Sequence, residues 1–99
     1  MIKVEELLNK GFQLKQFDNQ EGNPFFYQYV TNNQIEVKKL TKLLDEHFLI
    51  FDESTFICTI ELKVDYSYAQ YLICDSNDST YYSYGQLDLK EFESTFNTF

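Results

Sequence analysis

The apolar residues of this chain follow helical spacing at the start and strand-like alternation through much of the rest. Residues 3–10 carry apolar side chains at i, i+3 and i+4, which predicts a short helix. The helix should end at Gly11, because glycine adopts the left-handed C-terminal conformation most easily. Two strands follow at 12–17 and 25–31, and the polar residues 18–23 between them predict the turn of a hairpin.

A second helix is predicted over residues 34–46. Asn33 and Glu36 have the spacing of a capping box at its start. Its apolar residues lie mostly on one side, which we expect to face the core. The expected inward residues are Ile35, Val37, Leu40, Leu43 and Leu44. The expected solvent-facing lysines are Lys38, Lys39 and Lys42. A strand at 35–37 is the alternative prediction for the start of this segment.

The second half of the chain predicts four further strands. The clearest spans 55–65, where alternation over ten residues is typical of a strand with one buried face. Its expected inward residues are Phe56, Cys58, Ile60, Leu62 and Val64. Shorter strands are predicted at 48–51, 69–75 and 80–84, and Gly85 is expected to close the last of them.

A terminal helix is predicted over residues 89–96, because Asp88 and Glu91 repeat the capping-box spacing. Its expected inward residues are Leu89, Phe92 and Phe96. Together these elements predict a single α+β domain over residues 1–99. Its architecture is an antiparallel sheet of about five strands with two or three helices on one face.

Charge is distributed unevenly along the chain, whose formal net charge is −8 at pH 7. Residues 1–42 hold six lysines and five acids, whereas residues 43–99 hold two lysines and eleven acids. No arginine occurs, although arginine is the residue that most often recognises phosphates and bases. Direct nucleic-acid binding is therefore not expected, and a basic protein is the favoured partner.

The cellular location is predicted from the absence of a membrane-span pattern and of a signal-peptide pattern in the sequence. No run of about 18 apolar residues suits a membrane span, and Glu5 and Glu6 stand where a signal peptide would be apolar. Residue types with AT-rich codons are abundant, which suggests a bacterial or phage genome. We therefore expect a protein of the bacterial host-cell cytoplasm that does not enter the membrane.

The sequence carries no motif that names a catalytic or cofactor site. His47 is the sole histidine, and it could serve as a general base only beside Cys58 or Cys74. These three residues lack zinc-site spacing, and residues 75–78 lack the glycine and glutamate of a calcium loop. Cys58 is expected to be a buried thiol, with a Cys58–Cys74 disulfide as the alternative. We predict no enzyme activity, no cofactor and no metal.

Tyrosines crowd the acidic half, with six of them in residues 66–84. Alternation turns some of these rings outward, and tyrosine is enriched at interfaces because it pairs a large apolar area with a polar tip. Aromatic residues also form strands well and pack across them, which is the structural alternative. The predicted partner-binding residues are Asp52, Glu53, Asp65, Tyr66, Tyr68, Asp75, Asp78, Tyr81, Tyr82 and Tyr84.

In size and composition over its whole length, the chain resembles the small acidic inhibitors of phages and mobile elements. Anti-CRISPR and anti-restriction proteins belong to this group, and no motif is shared with them. The resemblance implies nucleic-acid mimicry that blocks the basic groove or nucleic-acid channel of a bacterial nuclease effector. The alternative hypothesis is a structural or self-associating accessory protein whose aromatic face forms a homodimer.

Overall fold

A computed structural model describes residues 1–17 and 24–99 of the protein. Its elements in chain order are α1 (Val4–Lys10), β1 (Gln13–Gln16), β2 (Phe25–Thr31), α2 (Gln34–Leu44), β3 (Phe56–Lys63), β4 (Ala69–Asp75), β5 (Tyr82–Leu87) and α3 (Leu89–Phe96). The strands form an antiparallel sheet in the order β1-β2-β3-β4-β5, so each pairs with its neighbour in the sequence. The predicted α+β arrangement is confirmed, while the turn predicted at 18–23 lies outside the described residues.

The capping signals in the sequence set the helix ends. Gly11 ends α1 with a left-handed φ of 112°, and the Asn33 side chain accepts the Glu36 backbone N–H at 3.1 Å. At the start of α3, Asp88 and Glu91 form the complete capping box. α2 has 11 residues, whereas a membrane span needs about 20. No helix in the described ranges is long and apolar enough to cross a membrane.

The three helices pack on one side of the sheet. Four side chains of β3 point to that side and are fully buried: Phe56, Cys58, Ile60 and Leu62. They share one hydrophobic core with fully buried residues of the helices, namely Leu7, Val37, Leu40 and Phe92. We call this helix-covered side the inner face and the opposite side of the sheet the open face.

Aromatic contacts tie the edge of the sheet to the helices. The Phe12 ring, just before β1, lies 5.3 Å from the Tyr29 ring and 6.0 Å from the Phe92 ring, measured between centroids. The Tyr29 hydroxyl donates to the Glu36 carboxylate and so joins β2 to α2. Burial, together with this carboxylate, raises the pKa of Tyr29 to about 12. These contacts hold the helices against the inner face of the sheet. The open face has no covering helix among the described residues.

One strand prediction in the second half is wrong, and another has the wrong bounds. Residues 48–51 form a connection rather than a strand, and the Phe48 ring stacks on the Tyr81 ring with centroids 4.8 Å apart. The last strand spans Tyr82–Leu87 instead of 80–84, so Gly85 lies inside it. Glycine fits there because a Cβ at this position would lie 2.8 Å from the Tyr71 ring.

The second helix also departs from its prediction. The alternative strand at 35–37 is wrong, because this segment is helical. The expected inward positions Ile35 and Leu43 are exposed instead. The helix begins directly after the cap at Asn33. The residues that it turns toward the sheet are Val37, Leu40 and Thr41. The lysines of α2 are exposed, as predicted.

Candidate interaction surface

The ten predicted partner-binding residues lie toward opposite ends of the sheet. Phe56 pairs with Asp75, so β3 begins and β4 ends at the same end, and their connecting turn 64–68 lies at the other. Three of the ten belong to this turn: Asp65, Tyr66 and Tyr68. The other seven belong to β5, to the end of β4 or to the loops around the first end: Asp52, Glu53, Asp75, Asp78, Tyr81, Tyr82 and Tyr84.

The turn tyrosines are engaged within the protein. Tyr66 adopts a φ of 61°, and its hydroxyl donates to the Ile2 carbonyl at 2.8 Å. The Tyr68 ring meets Phe26 edge-on, and the Lys63 ammonium lies 5.3 Å from the centre of the Tyr68 ring. These contacts give Tyr66 and Tyr68 a structural role at this end.

Tyr81 and Asp75 are also engaged internally. The Tyr81 hydroxyl donates to the Leu49 carbonyl at 2.8 Å, and its ring packs among the aromatic side chains of the core. Asp75 is buried and accepts the Asn77 backbone N–H at 2.9 Å. Both residues stabilise the loops at the end of the sheet.

Tyr82 and Tyr84 are exposed on the open face. They are 48% and 71% exposed, and their ring centroids lie 5.8 Å apart. The strand register continues from them across the sheet in two rows. One row joins Tyr84, Leu72, Thr59 and Val30, and the other joins Tyr82, Cys74 and Ile57. We call these seven residues the open-face patch.

The open-face patch carries no charged side chain, although 24% of the chain is charged. Within it, Val30 is 54% exposed and Leu72 is 42% exposed. Isolated apolar residues are common on protein surfaces, but a contiguous exposed group of aliphatic and aromatic side chains is typical of an interaction site. The patch is therefore the strongest candidate interaction surface in the described part of the chain.

The rest of the open face is polar or covered. Glu61 lies at the centre of a row of glutamines, and its carboxylate accepts from Gln28 at 2.6 Å and from Gln70 at 2.8 Å. Beyond this row, the fully buried Phe26 is covered by the Phe17 ring, 5.2 Å away between centroids. Exposed apolar area on the open face is thus concentrated toward the end where β5 begins.

Exposed carboxylates surround that same end. We call the group of Glu46, Asp52, Glu53 and Asp78 the acidic end. Asp78 accepts the Thr80 hydroxyl at 2.5 Å and the Thr80 backbone N–H at 3.0 Å, and these bonds lower its pKa. The pKa of Asp52 is lowered by Lys38, whose ammonium donates to it at 2.8 Å. Both carboxylates are therefore charged at neutral pH.

Lysines of α2 lie next to this acidic end. A cavity of about 560 Å³ is lined by Lys38, Lys39 and Lys42 together with Glu46 and residues 48–50. The charge difference between the two halves of the sequence is therefore partly offset in space. The strongly acidic surface is therefore narrower than the sequence suggested, and it is confined to the acidic end.

The candidate catalytic residues are not brought together. His47 is exposed and contacts Glu46 at 3.6 Å, whereas Cys58 is buried in the core. Burial raises the pKa of the Cys58 thiol to about 12. Both cysteines are free, so the alternative disulfide does not form. In residues 1–17 and 24–99, no group of three or more His, Cys, Asp or Glu side chains could hold a metal.

Sequence reasoning missed the aliphatic part of the open-face patch. Val30, Ile57 and Leu72 were not singled out, because alternation shows only that two faces exist and not which residues become neighbours across strands. The signal that could have found them is the turn 64–68, since its length fixes the register of β3 against β4.

Comparison with known proteins gives no relative for this chain. No protein-family model matches it, and neither does a curated protein or a solved structure. The interpretation of the surface therefore depends on its geometry and chemistry.

Proposed function

We propose that the protein works by binding rather than by catalysis, as an inhibitor that covers the basic nucleic-acid groove of a bacterial nuclease effector. The observation that supports this is that the uncharged open-face patch lies toward the same end of the sheet as the exposed carboxylates of the acidic end. Aromatic and aliphatic side chains supply the desolvated centre of an interface, while carboxylates at its border steer a basic partner. The proposal places the protein in the host-cell cytoplasm, where such effectors act.

The charge of the β4–β5 region fits a cationic partner. From Ser76 to Leu89 the chain has two aspartates, Asp78 and Asp88, both exposed, and no basic residue. Asp78 lies in the turn before β5, and Asp88 directly follows the strand. Carboxylates spaced along an edge can occupy the positions of phosphates in a basic groove, and their attraction raises the association rate most at low salt.

Binding to purified nuclease effectors with basic nucleic-acid channels tests the proposal. We expect a 1:1 or 2:2 complex whose affinity falls steeply between low and high salt, together with loss of effector binding to its nucleic acid. Tyr84→Ala should weaken the complex about 30-fold, because truncation of an aromatic anchor residue in an interface costs about 2 kcal/mol. If no basic effector is retained even at low salt, the proposal fails.

Two matched aspartates provide the charge control. Asp78 and Asp65 both accept a backbone N–H two residues later in an exposed turn, but at opposite ends of the sheet. Asparagine preserves the accepting oxygen in each turn and removes the charge. Asp78→Asn should weaken binding about threefold and reduce its salt dependence, whereas Asp65→Asn should not. Equal effects of the two variants would show that net charge, rather than this surface, governs binding.

Self-association is a second candidate function, supported by the lack of charge in the open-face patch. A second copy could pack against the patch without bringing like charges into direct contact there. Light scattering over a range of concentrations would then show a dimer that becomes a monomer on Tyr82→Ala. For the inhibitor hypothesis, the same variant should lose effector binding without a change in its own oligomeric state.

A further inference from the structure

β5 is an edge strand, and the direction of its backbone hydrogen bonds follows from its register with β4. The Asp75 backbone N–H donates to the Tyr81 carbonyl at 3.1 Å, so odd-numbered residues of β5 face β4. The next bonded pairs along the ladder are therefore those of Ser83 and Gly85. The even-numbered residues alternate with them, and their backbone N–H and C=O groups point away from the sheet. These residues are Tyr82, Tyr84 and Gln86.

The outward backbone groups of β5 have no partner within the described ranges. No hydrogen bond from residues 1–17 or 24–99 reaches them, and the side chains of Tyr82, Tyr84 and Gln86 are all exposed. A backbone edge of this kind is a template for another strand. β5 can thus accept an extended chain without displacing any element of the described structure.

The two edges of the sheet differ in how they are protected. β1, at the other edge, has four residues and carries Lys15. β5 has six residues and carries neither a charge nor a proline. Folded proteins usually protect an exposed edge by shortening it or by placing lysine or proline on it. β1 has such protection, whereas β5 lacks it.

We infer that β5 binds an extended, lysine- or arginine-containing segment of a partner protein as a sixth strand of the sheet. The inference rests on the proposed function for the basic character of the partner, and it adds the mode of binding. Asp78 and Asp88 lie beyond the two ends of β5, so a cationic strand meets carboxylates at both ends. Its basic side chains on the open face stack on Tyr82 and Tyr84, since cations are attracted to aromatic ring faces.

The surface beside β5 has room for a partner side chain. A cavity of about 440 Å³ is lined by Leu72, Tyr84, Gly85 and their neighbours in β4 and β5. Strand addition obtains affinity from main-chain hydrogen bonds and specificity from pockets for alternate side chains. The cavity provides such a pocket next to the outward backbone of Tyr84.

Amide exchange measured by NMR on the full-length protein tests the inference directly. The probe is a blocked synthetic peptide of alternating lysine and valine, with a glutamate–valine peptide as the matched control. At about 100 times its dissociation constant, the lysine peptide should slow exchange of the Tyr82, Tyr84 and Gln86 amides about 100-fold. The glutamate peptide should leave them unchanged. No binding, equal protection by both peptides, or binding that leaves these amides exchanging freely would overturn the inference.

A pair of variants at one position separates backbone from side-chain binding. Tyr84→Ala removes the ring and keeps the outward N–H, whereas Tyr84→Pro removes both and spares the β4 hydrogen bonds. Strand addition predicts that proline weakens lysine-peptide binding at least tenfold more than alanine does. Equal losses would contradict it, provided that circular dichroism shows both variants folded. The amide-exchange result stands independently if the proline variant does not fold.

Failure of the inference is distinguishable from failure of the proposed function. If nuclease effectors bind but the three outward amides stay unprotected in the complex, the function stands and strand addition is wrong. If the lysine peptide adds to β5 but no effector binds, the edge site stands and the inhibitor proposal is wrong. A second copy pairing at β5 would appear as protection that rises with protein concentration alone, which would also overturn the assignment to a basic segment.

Discussion

The two faces of the same sheet differ in burial and in what covers them. Along β3, the inner side chains from Phe56 to Leu62 are fully buried, whereas Ile57, Thr59 and Glu61 between them remain partly exposed. The inner face is closed by three helices, and the open face ends in an uncharged patch beside exposed carboxylates. In the proposed function, the inner face supplies stability and the open face supplies recognition, on opposite sides of a single layer of strands. Substitutions on the two faces should separate these properties.

The adjacent residues Tyr81 and Tyr82 show the same contrast between a buried and an exposed side of the sheet. Tyr81 packs its ring on Phe48 and donates its hydroxyl to the Leu49 carbonyl. Tyr82, the next residue, contacts Tyr84 on the open face and leaves about half of its surface exposed. Identical side chains therefore have different roles, because alternation sends one toward the protein and the other toward solvent.

The largest expected effect on stability comes from truncating the inner face. Phe56→Ala should lower the free energy of unfolding by about 3–5 kcal/mol, because it removes a fully buried ring and leaves a cavity. Tyr84→Ala, which also truncates a large aromatic side chain, should change it by less than about 0.5 kcal/mol. Urea denaturation measures both, and comparable losses would contradict the division between the faces.

Gly85 tests a close contact between β4 and β5 on the inner side of the sheet. Gly85→Ala should cost about 1–3 kcal/mol, since the new methyl group would lie 2.8 Å from the Tyr71 ring and force it to move. Gln86→Ala, at the neighbouring exposed position, is the control and should be nearly neutral. A neutral Gly85→Ala would mean that the Tyr71 ring relocates without cost.

A smaller effect is expected when single hydroxyl groups are removed. Tyr81→Phe should cost about 1 kcal/mol, because it leaves the Leu49 carbonyl without its 2.8 Å donor. Tyr82→Phe should have no measurable effect on thermal unfolding, since the structure gives the Tyr82 hydroxyl no protein partner within the described residues. If the two variants melt alike, the internal role of Tyr81 is wrong.

The two cysteines allow the two faces to be compared by chemical reactivity, without any substitution that changes stability. Cys58 lies on the inner face with its pKa raised to about 12, while Cys74 lies on the open face. At pH 8 only about one Cys58 thiol in 10⁴ is ionised, and thiolate is the reactive form. Iodoacetamide should therefore modify Cys74 in the folded protein and Cys58 only after unfolding. Mass spectrometry of digested samples reads both sites, and rapid modification of native Cys58 would contradict its burial.

Local signals in the sequence were sufficient for most elements. The alternation of β3 and the caps at Asn33 and Asp88 act over a few residues, so their outcome does not depend on the rest of the chain. Residues 48–51 show the opposite case. An apolar run is compatible with a strand or with a buried connection, and the choice depends on the Tyr81 ring more than 30 residues away.

The candidate surface was harder to predict, because the register of the paired strands decides which residues become neighbours on it. The sequence indicated that some tyrosines face outward, but it could not sort Tyr81 from Tyr82 without the position of β5. Gly85 led the prediction to end that strand too early, since glycine usually weakens strands. The close approach of the Tyr71 ring, which explains Gly85, is a tertiary contact that no local pattern encodes.

The sequential order of the strands has a consequence for the folding kinetics. Each pairing joins neighbouring segments, and the β3–β4 and β4–β5 pairings close only short turns, whereas contact of Phe12 with Phe92 must join nearly the whole chain. We expect the β3–β4 hairpin to be present in the transition state and α3 to dock after it. In stopped-flow experiments, Ile73→Val should then mainly slow folding, and Phe92→Leu should mainly accelerate unfolding. The opposite assignment of the two rates would show that helix docking comes first.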